Sequence, residues 1–261
     1  MTRPLWLTTI LLILPGLSWG FAYTTAASDG SFEQNAVSGQ PVVWANPLQG
    51  IALNFGGSPG FDGDATAGAA MDEWNAVNSA LQYQQGAARP TCVSGDNTNS
   101  AGWGAVTCDG AAFGDALAIT KRSYIQAGGV WYLREADIVV DRGRTWAVYN
   151  GPLRRSAVDF QRVILHELGH VLGLDHPDVA GQIVVAIMNS HTGNIDSLQD
   201  DDRQGVIRLY GAGTGTTTSS NSTSQSGGTR SGGGGAETAL MGLAWLGRRL
   251  RRGVRHASAQ N

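Results

Sequence analysis

The pattern of apolar and polar residues along the chain predicts a domain built from both strands and helices. Residues 51–55 alternate apolar with small or polar side chains, as a strand with one buried face does. Further short strands are predicted at 81–84, 116–120 and 135–141. Residues 66–81 predict a helix, because their apolar positions recur every three or four residues and share one face. Those positions are Ala70, Trp74, Val77 and Leu81.

A second apolar stripe with helical spacing predicts a helix that is anchored in the core. The stripe consists of Val163, Ile164, Leu168, Val171 and Leu172. Residues 198–211 close the domain, and in a helix Asp200–Asp202 near their start would complement the positive end of the helix dipole. The folded domain is therefore predicted to extend from about Pro41 to Gly211.

Composition separates this domain from the segments that flank it. Residues 23–40 are polar and without clear periodicity, which predicts a spacer or a short pro-segment. Residues 212–235 consist largely of Ser, Thr and Gly, the composition of a flexible linker. Residues 236–261 form an apolar and basic tail. Its apolar run is too short to span a bilayer comfortably, so we expect at most a transient membrane association through this tail.

The first 22 residues predict a secretory signal peptide. Arg3 supplies the positive start, residues 5–14 the apolar run, and small residues allow cleavage after Gly20 or Ala22. An uncleaved anchor is the alternative, although the apolar run is short for a transmembrane helix. We therefore expect an exported protein, either secreted or held at the cell surface.

The formal charge of −3 is unevenly distributed along the chain. Six of the 18 Lys and Arg residues lie from Arg230 onward, whereas Glu237 is the single one of the 21 acidic residues in that region. The body of the chain is thus acidic and the tail is basic. An acidic body lacks the positive surface that nucleic acids require, so no nucleic-acid partner is predicted.

The chain contains two cysteines, Cys92 and Cys108. In an oxidising compartment we expect them to form a disulfide that closes the Gly-, Asn- and Ser-rich loop between them. Two free thiols, or two zinc ligands, are the alternatives that the sequence leaves open.

The segment His166–His176 carries the candidate chemistry. His166 and His170 are four residues apart, so a helix presents both imidazoles on one face to a single metal ion. Glu167 lies beside them and can reach a water on that ion. Gly173 permits a sharp turn that brings His176 back as a third ligand. Three protein nitrogens leave one position of a tetrahedral zinc open, as in catalytic zinc sites.

This segment resembles the extended zinc signature of the metzincin metallopeptidases, and Gly173–His176 resembles the matrixin branch. The resemblance implies an α+β metzincin-type fold: a twisted, mostly parallel sheet with an antiparallel cleft-edge strand, a zinc-binding helix, a methionine turn and a C-terminal helix. Met188 in Ala186–Asn189 corresponds to the turn beneath the metal. The resemblance further implies that Ile138, Val139 and Val140 border the cleft and pair with substrate.

Two departures from the matrixin pattern bear on metal binding and latency. Vertebrate-type matrixins hold a second, structural zinc, but only His191 and His256 remain here to supply it. No cysteine precedes Cys92, so latency through a cysteine in a pro-segment is not expected. Phe61–Asp64 predicts a turn, with a Ca²⁺-binding loop or an aspartate that blocks zinc as alternatives.

The function that the resemblance implies is a secreted, zinc-dependent endopeptidase. A zinc-activated water would attack the peptide bond and Glu167 would act as general base. The partner is then a protein or peptide substrate, and we expect the enzyme to act as a monomer. A surface adhesin that uses the fold only to display loops is the alternative. The tail resembles bacterial C-terminal sorting signals, with a basic amphipathic tail as its alternative.

Overall fold

The computed structural model describes residues 20–56, 60–213 and 255–258. The predicted signal peptide therefore lies almost wholly outside the described residues, as do most of the predicted linker and tail. Within the described ranges, every helix is too short or too polar to cross a membrane.

The principal sheet has the mixed topology expected from the sequence. Its strands are β3 (Val43–Trp44), β4 (Leu48–Asn54), β5 (Gln82–Gln85), β6 (Asn99–Gly104), β7 (Ala118–Ala127), β8 (Val130–Asp141) and β12 (Arg255–Ser258). The order is β12-β7-β8-β6-β4-β5, with β3 also paired to β8. The β8, β6, β4 and β5 strands are parallel, whereas β7 runs antiparallel to β8. The predicted α+β fold is confirmed.

The described residues form three helices, α1 (Gly63–Asn75), α2 (Phe160–Val171) and α3 (Asp200–Tyr210), of which α1 and α2 pack against the sheet. Helix α1 begins earlier and ends earlier than predicted. It begins where Asp62 accepts a hydrogen bond from the Ala65 N–H at 3.0 Å, so the predicted turn at 61–64 is the start of a helix. It ends before Asn78, whose positive φ of 58° is incompatible with a continuing right-handed helix.

Helix α2 is fixed in the core by both packing and hydrogen bonds. All five residues of its predicted apolar stripe are buried. The indole N–H of Trp74 on α1 donates to the carbonyl of Leu165 at 2.9 Å, and the Tyr83 hydroxyl on β5 donates to that of Leu168 at 2.5 Å. These contacts from two elements limit the rotation of α2, so its side chains keep a fixed position relative to the sheet.

The N-terminal segment differs from the predicted spacer. Strand β1 (Ala22–Ala26) pairs with β2 (Phe32–Ala36) and with β11 (Leu174–Asp175), which follows α2. Residues 22–25 are all buried. The packed structure therefore begins well before Pro41, because β1 is a strand of a second, three-stranded sheet next to the end of α2.

The predicted location of the open sheet edge is wrong. Strand β8 is an inner strand: Ile138, Val139 and Val140 pair with β6 on one side and with β7 on the other. Their backbone groups are therefore already used within the sheet and their side chains are buried. The antiparallel strand beside the cleft is β7, where β12 pairs with Lys121–Tyr124 and ends before residue 120.

The remaining strands are short. They are β9 (Trp146–Ala147) and β10 (Val158–Asp159), which pair in parallel just before α2 begins. The loop that follows β5 carries Cys92, which is joined to Cys108 by the expected disulfide. No free cysteine is left among the described residues.

Candidate active site

The structure brings the three candidate ligands together at the end of α2. His166 and His170 lie one helical turn apart, and Gly173, with φ of 94°, reverses the chain into β11. His176 follows β11 directly. The Nε2 atom of His166 lies 3.0 Å from that of His170 and 3.2 Å from that of His176, and the latter two are 3.0 Å apart. All three side chains are buried.

Hydrogen bonds orient two of these imidazoles. Nδ1 of His166 lies 2.8 Å from the carbonyl oxygen of Ile187, and Nδ1 of His170 lies 2.8 Å from that of Leu174. A carbonyl can only accept, so each Nδ1 carries the proton and each Nε2 keeps its lone pair. The lone pairs then point toward the common centre of the three rings.

Burial keeps the rings of His170 and His176 in the form that binds metals. Desolvation, followed by the neighbouring imidazole of His166, lowers the pKa of His170 well below its usual value. The same two causes lower the pKa of His176 to about 4. Both rings are therefore neutral at pH 7, and neutral imidazole is the ligand form of histidine.

The arrangement of the three nitrogens fits a tetrahedral zinc. Nitrogens bound at about 2.0–2.1 Å in tetrahedral geometry lie roughly 3.3 Å apart, close to the separations found here. The Nε2 lone pairs of His166 and His170 face each other and repel, and a cation between them removes that repulsion. Among the described residues, this is the one group of three or more His, Cys, Asp and Glu side chains arranged to hold a metal ion.

Glu167 lies next to the ligands and is oriented from β7. Its side chain is buried, and the Thr120 hydroxyl donates a hydrogen bond to Oε2 at 2.6 Å. Thr120 was not predicted from the sequence as a site residue. Its position in a strand pattern carries no sign that its hydroxyl faces a helix forty-seven residues further along the chain.

The segment around Met188 supports α2 from below. Met188 is buried, and a Cβ added at Gly169 would collide with its sulfur and lie 3.1 Å from the Trp74 ring. The backbone N–H groups of Ile187 and Met188 donate to the carboxylate of Asp202 at 2.9 and 3.1 Å. Burial raises the pKa of Asp202 to about 6, although these hydrogen bonds favour its ionised form. Helix α3 thus holds the turn against the histidines.

A buried polar network surrounds His176, the third candidate ligand. Arg122 on β7 forms an ion pair with Asp175 at 2.7 Å, and both side chains are buried. The Thr24 hydroxyl also donates to Asp175, at 2.7 Å, and Asn35 accepts a hydrogen bond from the His176 N–H at 2.9 Å. The N-terminal strands therefore position His176, a role that the polar sequence of residues 23–40 did not indicate.

A cavity of about 580 Å³ opens onto the candidate site. His166, Glu167 and His176 line it, together with Ala116 and Leu117 just before β7. The chain after Met188 forms part of its lining through residues 189–193. This is an open groove with a possible ligand centre in its wall, which suits a chain that must pass across the site.

The two turn aspartates lie outside this cluster. Asp62 caps α1, and Asp64 accepts a hydrogen bond from the Phe55 N–H at 2.7 Å. Their oxygens therefore have a structural use at the start of the helix. Calcium binding at this turn stays a prediction.

Comparison with known proteins relates the second half of the domain to one family. Residues 106–211 match the family model described as Matrixin. Metalloendoproteinase 4-MMP of Arabidopsis thaliana is 32% identical over 104 residues, which cover 40% of this chain and 28% of that protein. Metalloendoproteinase 1-MMP of the same plant is 32% identical over 106 residues, covering 40% and 27%. Stromelysin-3 of Mus musculus is 35% identical over 78 residues, covering 30% and 15%.

The chain thus spans less than a third of each of these relatives. The matched segment nevertheless contains the whole of α2, β11 and α3, the three candidate ligands and Met188. The mixed sheet and the methionine turn agree with the fold that the family resemblance implies. Residues 106–211 are thus similar to the matrixin metallopeptidases, and this matched segment carries all three candidate ligands.

Proposed function

We propose that this chain is an exported, zinc-dependent endopeptidase that hydrolyses internal peptide bonds of proteins. One observation carries the proposal: three imidazole Nε2 atoms converge beside Glu167 at the wall of an open groove. Endopeptidases need such a groove, because the substrate chain continues on both sides of the bond that is cut. The family of residues 106–211 supports the same reaction.

The histidines and the metal have separable roles in this proposal. His166, His170 and His176 would hold Zn²⁺ through Nε2 and leave one tetrahedral position for water or substrate. When bound, zinc supplies a Lewis acid that polarises the scissile carbonyl and lowers the pKa of water. The hydrogen bonds from Nδ1 to the carbonyls of Ile187 and Leu174 keep the rings directed at the ion.

Glu167 would supply the proton transfer. Its carboxylate takes the proton of the attacking water as general base and delivers it to the leaving amine. The hydrogen bond from Thr120 limits rotation of that carboxylate, so its position relative to the groove is fixed before substrate arrives. Such preorganisation avoids a reorientation step during the reaction.

The substrate would bind as an extended strand along β7. Residues 118–120 pair with β8 on one side, and among the described residues no strand pairs with them on the other. A peptide can therefore add to this edge through main-chain hydrogen bonds, which are independent of its sequence. We place export through the predicted signal peptide and action as a monomer in the same proposal.

The test uses unfolded protein as substrate and follows the products by mass spectrometry. We expect internal cleavage that a zinc chelator abolishes. Glu167→Gln should keep about one equivalent of zinc, while hydrolysis falls by about 10²–10⁴-fold because the proton acceptor is lost. Glu33→Gln makes the same chemical change on the exposed surface of β2 and serves as the control.

Each other outcome points to a different function. Removal of single residues from chain ends would indicate an exopeptidase. Normal zinc content without any cleavage would favour the binding-module alternative. Full activity in Glu167→Gln with zinc retained would show that the assigned general base is wrong.

A further inference from the structure

A second basin continues from the candidate active-site groove. It has a volume of about 410 Å³, and Leu117 and Thr192 line both it and the main groove. Leu117 lies just before β7 and Thr192 lies in the chain after Met188. A substrate that lies along β7 and continues past Leu117 therefore passes directly from the groove into the basin.

The basin is basic. Arg144, Arg154 and Arg155 line it, and none of its lining residues is acidic. Arg144 is already paired with Asp141 at 3.0 Å and donates to the carbonyl of Gly114 at 2.7 Å. Arg154 and Arg155 are exposed, and among the described residues neither has a carboxylate within 4.0 Å. Two positive charges are thus available to a bound molecule.

One wall of the basin holds Arg154 in place. Its guanidinium carbon lies 4.2 Å from the centre of the Tyr149 ring, and the Tyr149 side chain is buried and accepts the backbone N–H of Arg154 at 3.1 Å. Stacking on an aromatic ring restricts a guanidinium while leaving its edge able to donate to an anion. The arginine is therefore partly preorganised for a carboxylate.

We infer that this basin binds an acidic side chain of the peptide substrate, on the side of the scissile bond that leads past Leu117. The inference rests on the proposed endopeptidase function. Continuity with the groove selects the substrate itself as the occupant, and the unpaired arginines select a carboxylate. Arg154 and Arg155 are then specificity-determining residues that act several residues away from the bond that is cut.

The experiment scans one Glu through each position of an otherwise neutral peptide, with Gln as the isosteric reference. We expect at least one position, two or more residues from the cleaved bond and on one side of it, where Glu raises kcat/KM about three- to tenfold over Gln. This range corresponds to one or two partly exposed ion pairs. The ratio of kcat/KM for the Glu peptide to that for the Gln peptide should fall toward one in the double variant Arg154→Gln/Arg155→Gln and at high salt. The control Arg208→Gln removes an arginine from the exposed end of α3 and should leave this ratio unchanged.

A binding measurement keeps the test independent of turnover. The same Glu and Gln peptides, labelled with a fluorophore, are titrated against Glu167→Gln and against that variant carrying both arginine changes. A Kd ratio that favours Glu and depends on the two arginines supports the basin. Equal affinities for the Glu and Gln peptides would overturn it, even if neutral peptides are cleaved. Absence of any cleavage by the unaltered protein would instead count against the proposed function.

Discussion

At the scale of single residues, the site depends on side chains that hold Glu167 and the histidines in position. Thr120 reaches Glu167 from β7, and Gly169 leaves space for Met188 and Trp74 under α2. Neither residue ligates the metal. Both act through geometry, so their effects should differ from the loss of a ligand.

The first prediction concerns Thr120. Thr120→Val keeps the size of the side chain but removes the hydrogen bond to Glu167, and a hydrogen bond to a charged group is worth about 1.5–3 kcal/mol. We expect kcat to fall roughly 10- to 100-fold with zinc content unchanged. Thr120→Ser keeps the hydroxyl and should recover most of the rate. Equal losses in both variants would mean that Thr120 acts by packing alone. Steady-state kinetics with metal analysis makes the distinction.

The second prediction concerns Gly169. Alanine here must displace Met188 or Trp74, and overpacking of a buried site typically costs about 1–3 kcal/mol. Urea unfolding should show this loss. Gly68→Ala is the control, because a Cβ at Gly68 on α1 meets nothing within 4 Å and alanine favours helix. A Gly169→Ala variant as stable as the original would show that the turn under α2 is easily displaced.

At the scale of secondary-structure elements, polar side chains connect strands and helices that hydrophobic packing alone would leave free to slide. Asp202 joins α3 to the methionine turn through two backbone N–H groups. Asp137 joins β8 to β6, since it accepts hydrogen bonds from the backbone N–H and the hydroxyl of Ser100 at 3.1 and 2.6 Å. Both carboxyls are buried, so their ionisation is coupled to folding.

The third prediction is a pH dependence of stability through Asp137. Burial raises the pKa of Asp137 to about 6, above its usual value near 3.8. The folded state thus binds this proton more tightly than the unfolded state. The resulting stabilisation is complete below about pH 4 and is lost as pH rises through about 6, by roughly 3 kcal/mol.

Asp137→Asn cannot ionise and should lack this loss. Its free energy of unfolding should therefore improve relative to the original protein between pH 4 and pH 7, measured with both proteins saturated with zinc. Asp72→Asn on the exposed side of α1 controls for the change in net charge. Parallel pH profiles for Asp137→Asn and the original protein would contradict the assignment.

At the scale of the whole molecule, the candidate metal site is assembled from three distant parts of the chain. Helix α2 supplies two candidate ligands, β7 supplies Thr120 and Arg122, and the N-terminal strands supply Thr24 and Asn35. The N-terminal segment is thus a structural part of the candidate active site. It is joined to His176, the third candidate ligand, through β11 and the buried carboxylate of Asp175.

The fourth prediction follows from that assembly. A truncated variant that begins at Pro41 lacks β1 and β2. It therefore loses the hydrogen-bond partners of Asp175 and His176, and its zinc binding should be about 10- to 100-fold weaker. Asn35→Gly removes only the side chain that accepts from His176 and tolerates the positive φ of 55° at this position. It should weaken zinc binding while circular dichroism stays unchanged. Unaltered zinc affinity in both variants would refute a role for this segment.

The sequence by itself determined the parts of this protein that depend on local spacing. The interval between His166 and His170 places both on one face of a helix, and Gly173 allows the reversal that returns His176. The apolar stripe of α2 also follows from residues close together in the chain. Local periodicity is sufficient there, because the helix hydrogen bonds join residues four apart.

Only the tertiary structure decided how the strands are ordered and which polar residues surround the site. An inner strand and an edge strand can have the same side-chain pattern, so Ile138–Val140 were mistaken for the edge that β7 provides. Residues 23–40 were predicted to be a spacer or short pro-segment, although Thr24 and Asn35 form hydrogen bonds with partners about 140–150 positions away. Strand pairing and buried polar networks join residues that are far apart in sequence. A local sequence pattern therefore does not determine which strand pairs with which, or which group hydrogen-bonds to a given carboxylate.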